Sequence, residues 1–342
     1  MRMIDILRTA GAMVGPARPV ILYHKPTLRC DCRCRFCDSW VHQPKEDDTL
    51  PTTKILPLLD RAKAAGMTMY TLWGGEPLLA EDLPVWLRHA TSLKLRTVVC
   101  TSGGKLAERA REIAPATQRL LLSLEGIGEK HDKIRGTTGL FGKLVAGLEE
   151  FRRHSSGEVT LWSNLTRENR DQIEDIARFA ARRKVFVEFF PAARYAGFND
   201  EIILSPPERE EAFRKVMELK RRGYPVHNTW YSLRLMRTSR HFKCNIPRLS
   251  VQLNADGNLY ACDPKMLPDL EPYGALDTFD LRKLPSSDAY RRIWRQLQNC
   301  NRCLLPCVAH LADNLLFQGT RKALNQVYYR EDFFNRSTKR DF

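Results

Sequence analysis

Between Pro19 and Lys220, short apolar runs alternate with longer stretches whose apolar residues recur at three- and four-residue spacing. The short runs predict strands over Val20–His24, Thr68–Trp73, Arg96–Thr101, Arg119–Leu124, Val159–Asn164 and Val185–Phe190. The longer ones predict helices over Thr52–Ala65, Leu83–Ala90, Leu106–Ile113, Leu140–His154, Arg170–Arg183 and Pro207–Arg221. Six βα units in series require parallel strands joined by crossover helices. A closed barrel of this kind needs more units, so the expected fold is α/β, an open and partial (β/α)6 barrel. After Arg222-Gly223 the alternation turns irregular. Leu249–Cys262 alternates apolar and polar residues around Asp256-Gly257, a hairpin signal, and Asp288–Gln298 reads as a helix. The expected division is an N-terminal extension over 1–18, a core over 19–222 and a small cysteine-rich α+β domain with its tail over 223–342.

The 342 residues suffice for one large α/β domain and a smaller appendage, and 43% hydrophobic content marks an ordinary globular chain. No apolar run reaches the roughly 18 residues needed to span a bilayer. Met3–Val14 is too short and interrupted for a signal peptide. It reads as an amphipathic helix packed on the barrel, with peripheral contact to a membrane surface as the other reading. In a large chain with no export signal, ten cysteines read as metal ligands in a reducing cytoplasm, not as disulfides. Lys and Arg exceed Asp and Glu by 15. That excess suits an anionic small molecule, nucleic acid or lipid surface, or simply a basic solvated surface, since the arginines are spread along the chain.

The chemistry is concentrated in a few short stretches. Cys30, Cys34 and Cys37 stand at C-x3-C-x2-C spacing in Cys30-Asp-Cys-Arg-Cys-Arg-Phe-Cys37. Three thiolates on one loop can hold three irons of a cubane cluster and leave the fourth iron open, whereas structural zinc takes four ligands. Trp73-Gly-Gly-Glu-Pro-Leu78 ends a predicted strand, and its glycines permit close backbone approach. Val98–Gly103, Leu121–Gly126 and His131–Gly136 follow. These motifs cluster at C-terminal strand ends, where parallel α/β sheets build their sites.

In combination these stretches resemble the radical S-adenosylmethionine (SAM) superfamily, and Leu121–Gly126 with His131–Gly136 resembles the subgroup of sulfatase-maturating enzymes and peptide maturases. The resemblance implies a SAM-binding [4Fe–4S] cluster on Cys30, Cys34 and Cys37, with Phe36 the aromatic residue before the last ligand. It implies that Gly74, Gly75 and the Glu76-Pro77 segment receive the methionine of SAM. Ser123 would contact its ribose or carboxylate, and Arg135 would be a partner for that carboxylate. Ser102 occupies a third-strand turn where the family more often has Asn. The implied activity is reductive cleavage of SAM to a 5′-deoxyadenosyl radical that abstracts hydrogen from an unactivated carbon. An electron donor such as flavodoxin or ferredoxin is implied as a partner.

Cys244, Cys262, Cys300, Cys303 and Cys307 form a second set. A hairpin carrying Cys262 back towards Cys244, plus the Cys300–Cys303 clip, can close a four-cysteine site for either an iron–sulfur cluster or zinc. This run resembles the Twitch extension, a shortened relative of the SPASM domain with one auxiliary [4Fe–4S] cluster. Cys307 is an alternative fourth ligand. An auxiliary cluster implies an oxidative outcome, a dehydrogenation or a new carbon–carbon or carbon–heteroatom bond; a redox-neutral epimerase, mutase or adenosyl-adding enzyme is the alternative. A zinc-dependent nucleic-acid module is a distant alternative, with no use for Gly74–Pro77. Substrate classes left open are a small anionic metabolite, a lipid, a tetrapyrrole or a peptide. Cys32 is not required by the three-cysteine frame. Cys100 reads as a core thiol, and His24 and His131 as structural histidines or proton carriers.

Overall fold

The computed structural model describes residues 19–238, 244, 246–297, 300 and 303. The N-terminal extension and Cys307 lie outside the described residues. Six parallel strands form the core: β1 (Ile21–His24), β2 (Met69–Leu72), β3 (Arg96–Thr101), β4 (Arg119–Ser123), β5 (Glu158–Leu165) and β6 (Phe186–Pro191). Their order is sequential, and β6 lies at one edge of the sheet, so the barrel stays open. The strands are apolar because helices cover one face and the barrel interior the other, as in Leu120, Leu121 and Leu122 of β4, all buried.

The crossover helices follow the predicted periodicity. In α1 (Thr52–Ala64), Ile55, Leu58, Leu59 and Ala62 make the buried stripe. Next come α2 (Leu83–Ser92) and α3 (Leu106–Ile113). A further helix, α4 (Glu129–Arg135), occupies the segment read from sequence only as a motif. It precedes α5 (Leu140–His154). The expected helix over Arg170–Arg183 begins with a 3-10 turn at Arg170–Gln172 and continues as α6 (Ile173–Arg182). Ser205 and Glu208 form a capping box that starts α7 (Pro206–Arg221).

The C-terminal segment extends the same sheet. After α8 (Trp230–Thr238) and the single turn α9 (Ile246–Leu249), β7 (Ser250–Leu253) pairs parallel to β1, with Tyr23 opposite Gln252. The expected hairpin is present: β8 (Asn258–Tyr260) returns antiparallel to β7, and Gly257 takes φ +79° in the turn. β9 (Gly274–Ala275) completes a nine-stranded sheet, and α10 (Asp288–Leu297) follows. No helix among the described residues is long and apolar enough to cross a membrane.

A buried ion pair ties this segment to the core. Lys25, just past β1, places Nζ 2.6 Å from Asp263, and their side chains are 3% and 8% exposed. Removing one partner strands a charge, whereas replacing both with apolar residues does not. Asp263→Ala should therefore lower stability by about 3 kcal/mol, and Lys25→Met/Asp263→Leu should recover most of that loss. Anaerobic urea unfolding followed by tryptophan fluorescence checks this; a double variant as unstable as the single would contradict it.

Candidate active site

The loop carrying the first cysteines leaves the C-terminal end of β1 and is held by backbone on both flanks. On one side Gly75 N donates to Thr27 O at 3.1 Å and Glu76 N to Arg29 O at 2.8 Å. On the other, Arg33 N donates to Arg135 O at 2.9 Å and Arg35 N to Ile134 O at 3.0 Å, at the end of α4. Both contacts require glycine. A Cβ on Gly75 would lie 2.0 Å from Arg29 O, and one on Gly136 (φ +61°) 2.4 Å from Arg33 O. Asp48 accepts from Thr27 Oγ1 and from Leu28 N (2.7 Å), Gln43 accepts from Cys30 N (2.9 Å), and Trp40 donates its indole N–H to Cys34 O (3.1 Å). Asn199 donates to Phe36 O at 3.0 Å.

Within this frame the sulfurs of Cys30 and Cys32 and a carboxylate oxygen of Asp31 lie within 4.8 Å of one another. Cys32 is 1% exposed. Hydrogen bonds from Cys30 and Cys34 draw its thiol well below the ordinary range, while Cys30 and Cys34 are pushed up by the Cys32 hydrogen bond and then by burial. Such a crowd of sulfurs cannot ionise together without a cation, and thiolates are what iron requires. Cys30 and Cys34, two of the three frame cysteines, lie in this crowd, and their sulfur suits an iron–sulfur cluster. Cys37 sits at the far end of the loop, its Sγ 3.1 Å from Ser39 Oγ. The closeness of Cys32 to Cys30 and Cys34 was not visible from spacing alone.

The glycine-rich end of β2 forms a shelf beside this loop. Glu76 is 1% exposed and accepts from Thr101 Oγ1 (2.7 Å), Ser102 N (2.8 Å) and Leu78 N (3.0 Å). Burial, then the charge of Asp31, lifts its carboxyl to about 7. Its side chain thus locks the end of β2 to the end of β3, leaving backbone as what this segment can offer a ligand. Ser102 Oγ accepts from Gly104 N at 3.2 Å and also bonds the Cys32 thiol. Ser123 ends β4 and hydrogen-bonds Cys100, whose thiol burial pushes up to about 12.

Arg135 has its partner already. Its Nε and Nη2 reach the two carboxylate oxygens of Glu125 at 2.6 and 3.1 Å, and its guanidinium lies 5.5 Å from the Phe36 ring centroid. Glu125 was not singled out from sequence; its signal was its place in the Leu121–Gly126 stretch. Asn164 and Asn169 hold Glu125 further, at its carboxylate and its carbonyl. His131 accepts from Glu125 N at 3.1 Å, and burial lowers its pKa to about 4. His24 bonds the Tyr70 hydroxyl at 2.6 Å, and burial lowers it to about 3. Both stay neutral near pH 7, and the Nε2 of each has no hydrogen-bond partner among the described residues.

Cys244, Cys262, Cys300 and Cys303 line one cavity with residues of the barrel interior, among them Thr71, Cys100, Leu121 and Trp162. Burial pushes Cys244 up to about 12 and raises Cys262 further, and the Cys303 sulfur adds to both. Four cysteines lining one cavity, Cys244 buried and Cys262, Cys300 and Cys303 half-buried, suit a fully ligated cluster or zinc. Lys265 joins the two cysteine sets: its Nζ pairs with Asp38, next to Cys37, and lies 2.8 Å from Ser39 Oγ.

The close approach at Gly75 and Gly136 changes what their substitution should do. Gly75→Ala and Gly136→Ala should displace the cysteine loop itself and lower the iron held by the first site, not merely weaken a ligand. Iron content and absorbance near ~400 nm after anaerobic reconstitution check this; full iron content in both variants would contradict it.

Residues 25–180 match the radical SAM superfamily. The chain is 28% identical over 194 residues to the AdoMet-dependent heme synthase of Oleidesulfovibrio alaskensis, covering 54% of this chain and 49% of that protein. It is 25% identical over 240 residues to the Fe-coproporphyrin III synthase of Methanosarcina barkeri, covering 69% and 59%. The chain thus spans about half the length of the curated relatives it matches. Among solved structures, Streptococcus suis SuiB bound to S-adenosylmethionine has a TM-score of 0.67 at 17% identity, over 81% of this chain and 68% of that one, a likeness of fold. By its three-cysteine loop and its partial barrel, residues 25–180 of the chain match the radical SAM superfamily, whose cofactors are SAM and a [4Fe–4S] cluster.

Proposed function

We propose that this protein cleaves SAM reductively and abstracts hydrogen from an unactivated carbon of a largely apolar substrate, with an oxidative outcome. The observation that carries this reading is a cavity lined both by barrel residues and by four cysteines. When bound, a reduced cluster and SAM together supply a carbon-centred radical. Cys30, Cys34 and Cys37 would hold the first cluster, and the backbone of Gly74 and Gly75 would seat the methionine part. Cys244, Cys262, Cys300 and Cys303 would hold an auxiliary cluster able to accept the electron that an oxidative outcome releases. Flavodoxin or ferredoxin, in a reducing cytoplasm, would supply electrons to the first site.

The chain's own contribution is placement. The clamped loop fixes the first site against the shelf, Glu76 keeps the ends of β2 and β3 in register, and the apolar walls exclude water that would quench a radical. The cavity also narrows the substrate. Among its described lining residues there is no Lys or Arg, and its one carboxylate, Asp263, is paired with Lys25. A small, highly charged metabolite would lose its hydration there without compensation. A tetrapyrrole ring, a lipid chain or an apolar peptide side chain fits better, and the names of two relatives, a heme synthase and an Fe-coproporphyrin III synthase, favour the tetrapyrrole. Any anionic groups of the substrate would sit outside, against the basic surface that the net charge of +15 implies.

The test separates the two sites. Changing Cys30, Cys34 and Cys37 together to Ala should remove about four irons and abolish 5′-deoxyadenosine formation, while Cys32→Ala should do neither. The triple variant should keep about four irons that depend on Cys244, Cys262, Cys300 and Cys303. Continued 5′-deoxyadenosine formation by the triple variant would sink the assignment, and zinc in the second site would overturn the oxidative outcome.

A further inference from the structure

Two residues that line the cavity carry a buried donor with no hydrogen-bond partner among the described residues: the indole Nε1 of Trp73 and the amide Nε2 of Gln252. They come from opposite sides of β1. Gln252, 5% exposed, stands on β7 opposite Tyr23, which in turn stands opposite Thr71 on β2, and Trp73 follows Thr71 by two residues. Buried polar groups are normally satisfied, so a pair of orphaned donors on residues lining one cavity marks a place for an acceptor. An indole N–H can only donate, which fixes the sense of the missing contact.

The surroundings decide what kind of acceptor belongs there. Lys25 Nζ lies 5.1 Å from the Trp73 ring centroid, its ammonium taken up by Asp263, and no Lys or Arg is among the described lining residues. An ionised carboxylate placed between Trp73 and Gln252 would be desolvated without a free counter-charge. A neutral oxygen would gain two hydrogen bonds at little desolvation cost. Tyr23 and Trp162 add aromatic surface on which a flat, apolar body can lie, Tyr23 meeting Trp73 edge-on at 6.1 Å between centroids.

We propose that Trp73 and Gln252 orient the substrate by donating hydrogen bonds to a neutral carbonyl-type oxygen on an otherwise apolar, planar body. The proposal rests on the reading of this cavity as the substrate site and adds the chemistry by which the substrate is recognised. Both residues are positioning groups that set which carbon of the substrate faces the first cluster.

Three probes of one shape isolate the acceptor: 2-acetylnaphthalene, 2-ethylnaphthalene and 2-naphthoate, titrated calorimetrically into anaerobically reconstituted, SAM-saturated protein. The ketone should bind at least about tenfold tighter than the hydrocarbon, with the carboxylate weakest. Trp73→Phe and Gln252→Leu should each shrink the ketone preference several-fold, and the double variant should erase it. Unchanged affinity for 2-ethylnaphthalene in the double variant shows that the cavity survives. The proposal falls if ketone and hydrocarbon bind equally to the unaltered protein, if the preference survives in the double variant, if naphthoate binds tightest, or if no probe binds. Formation of 5′-deoxyadenosine in the same preparations reads the radical chemistry separately, so its failure is told apart from failure of the recognition proposal.

Discussion

The site depends on two places where backbone meets backbone with no room for a side chain. Arg29 O lies against Gly75 and Arg33 O against Gly136, and the hydrogen bonds flanking these contacts hold the cysteine loop between the end of β2 and the end of α4. A loop rich in ligating groups and poor in apolar residues has little packing energy of its own. Its shape must come from its neighbours, and four backbone hydrogen bonds supply it. Glu76 and the Arg135–Glu125 pair then stiffen those neighbours: one joins β2 to β3, the other joins α4 to the end of β4. The polar groups around the first site are thus mostly committed to holding the frame, which leaves backbone edges and sulfur for the ligands.

The C-terminal segment completes the site instead of sitting beside it. Because β7 pairs with β1, Gln252 enters the same inward-facing row as Tyr23 and Thr71, and Cys262 and Asp263 arrive over the mouth of the barrel. Two ion pairs, Lys25–Asp263 and Lys265–Asp38, then link the second cysteine set to β1 and to the first cysteine loop. A buried pair such as Lys25–Asp263 contributes orientation more surely than stability. Here the two pairs tie the second cysteine set, which lines the cavity, to the loop of the first.

Much of this was legible in the chain. Strand and helix periodicity located the six βα units within a residue or two, because parallel strands covered on both faces must be continuously apolar. The three-cysteine spacing and the Gly74–Pro77 turn are local patterns, and they fall where parallel sheets place their sites. What the sequence did not show is non-local. Gly75 reads only as a seat for a ligand, and the structure adds the close approach of Arg29 O. Arg135 reads as free for a carboxylate until Glu125 is found bonded to it. Neither the parallel pairing of β7 with β1 nor the crowding of Cys32 between Cys30 and Cys34 leaves any periodic trace.

The central claim is that the protein holds two separate iron–sulfur sites, the second of them lining the cavity. Anomalous diffraction at the iron absorption edge, from crystals of the anaerobically reconstituted protein, tests it most directly. The account predicts two iron peaks, one bounded by Cys30, Cys34 and Cys37 and the other by Cys244, Cys262, Cys300 and Cys303. A single iron peak, or a second peak that appears only at the zinc edge, would contradict it.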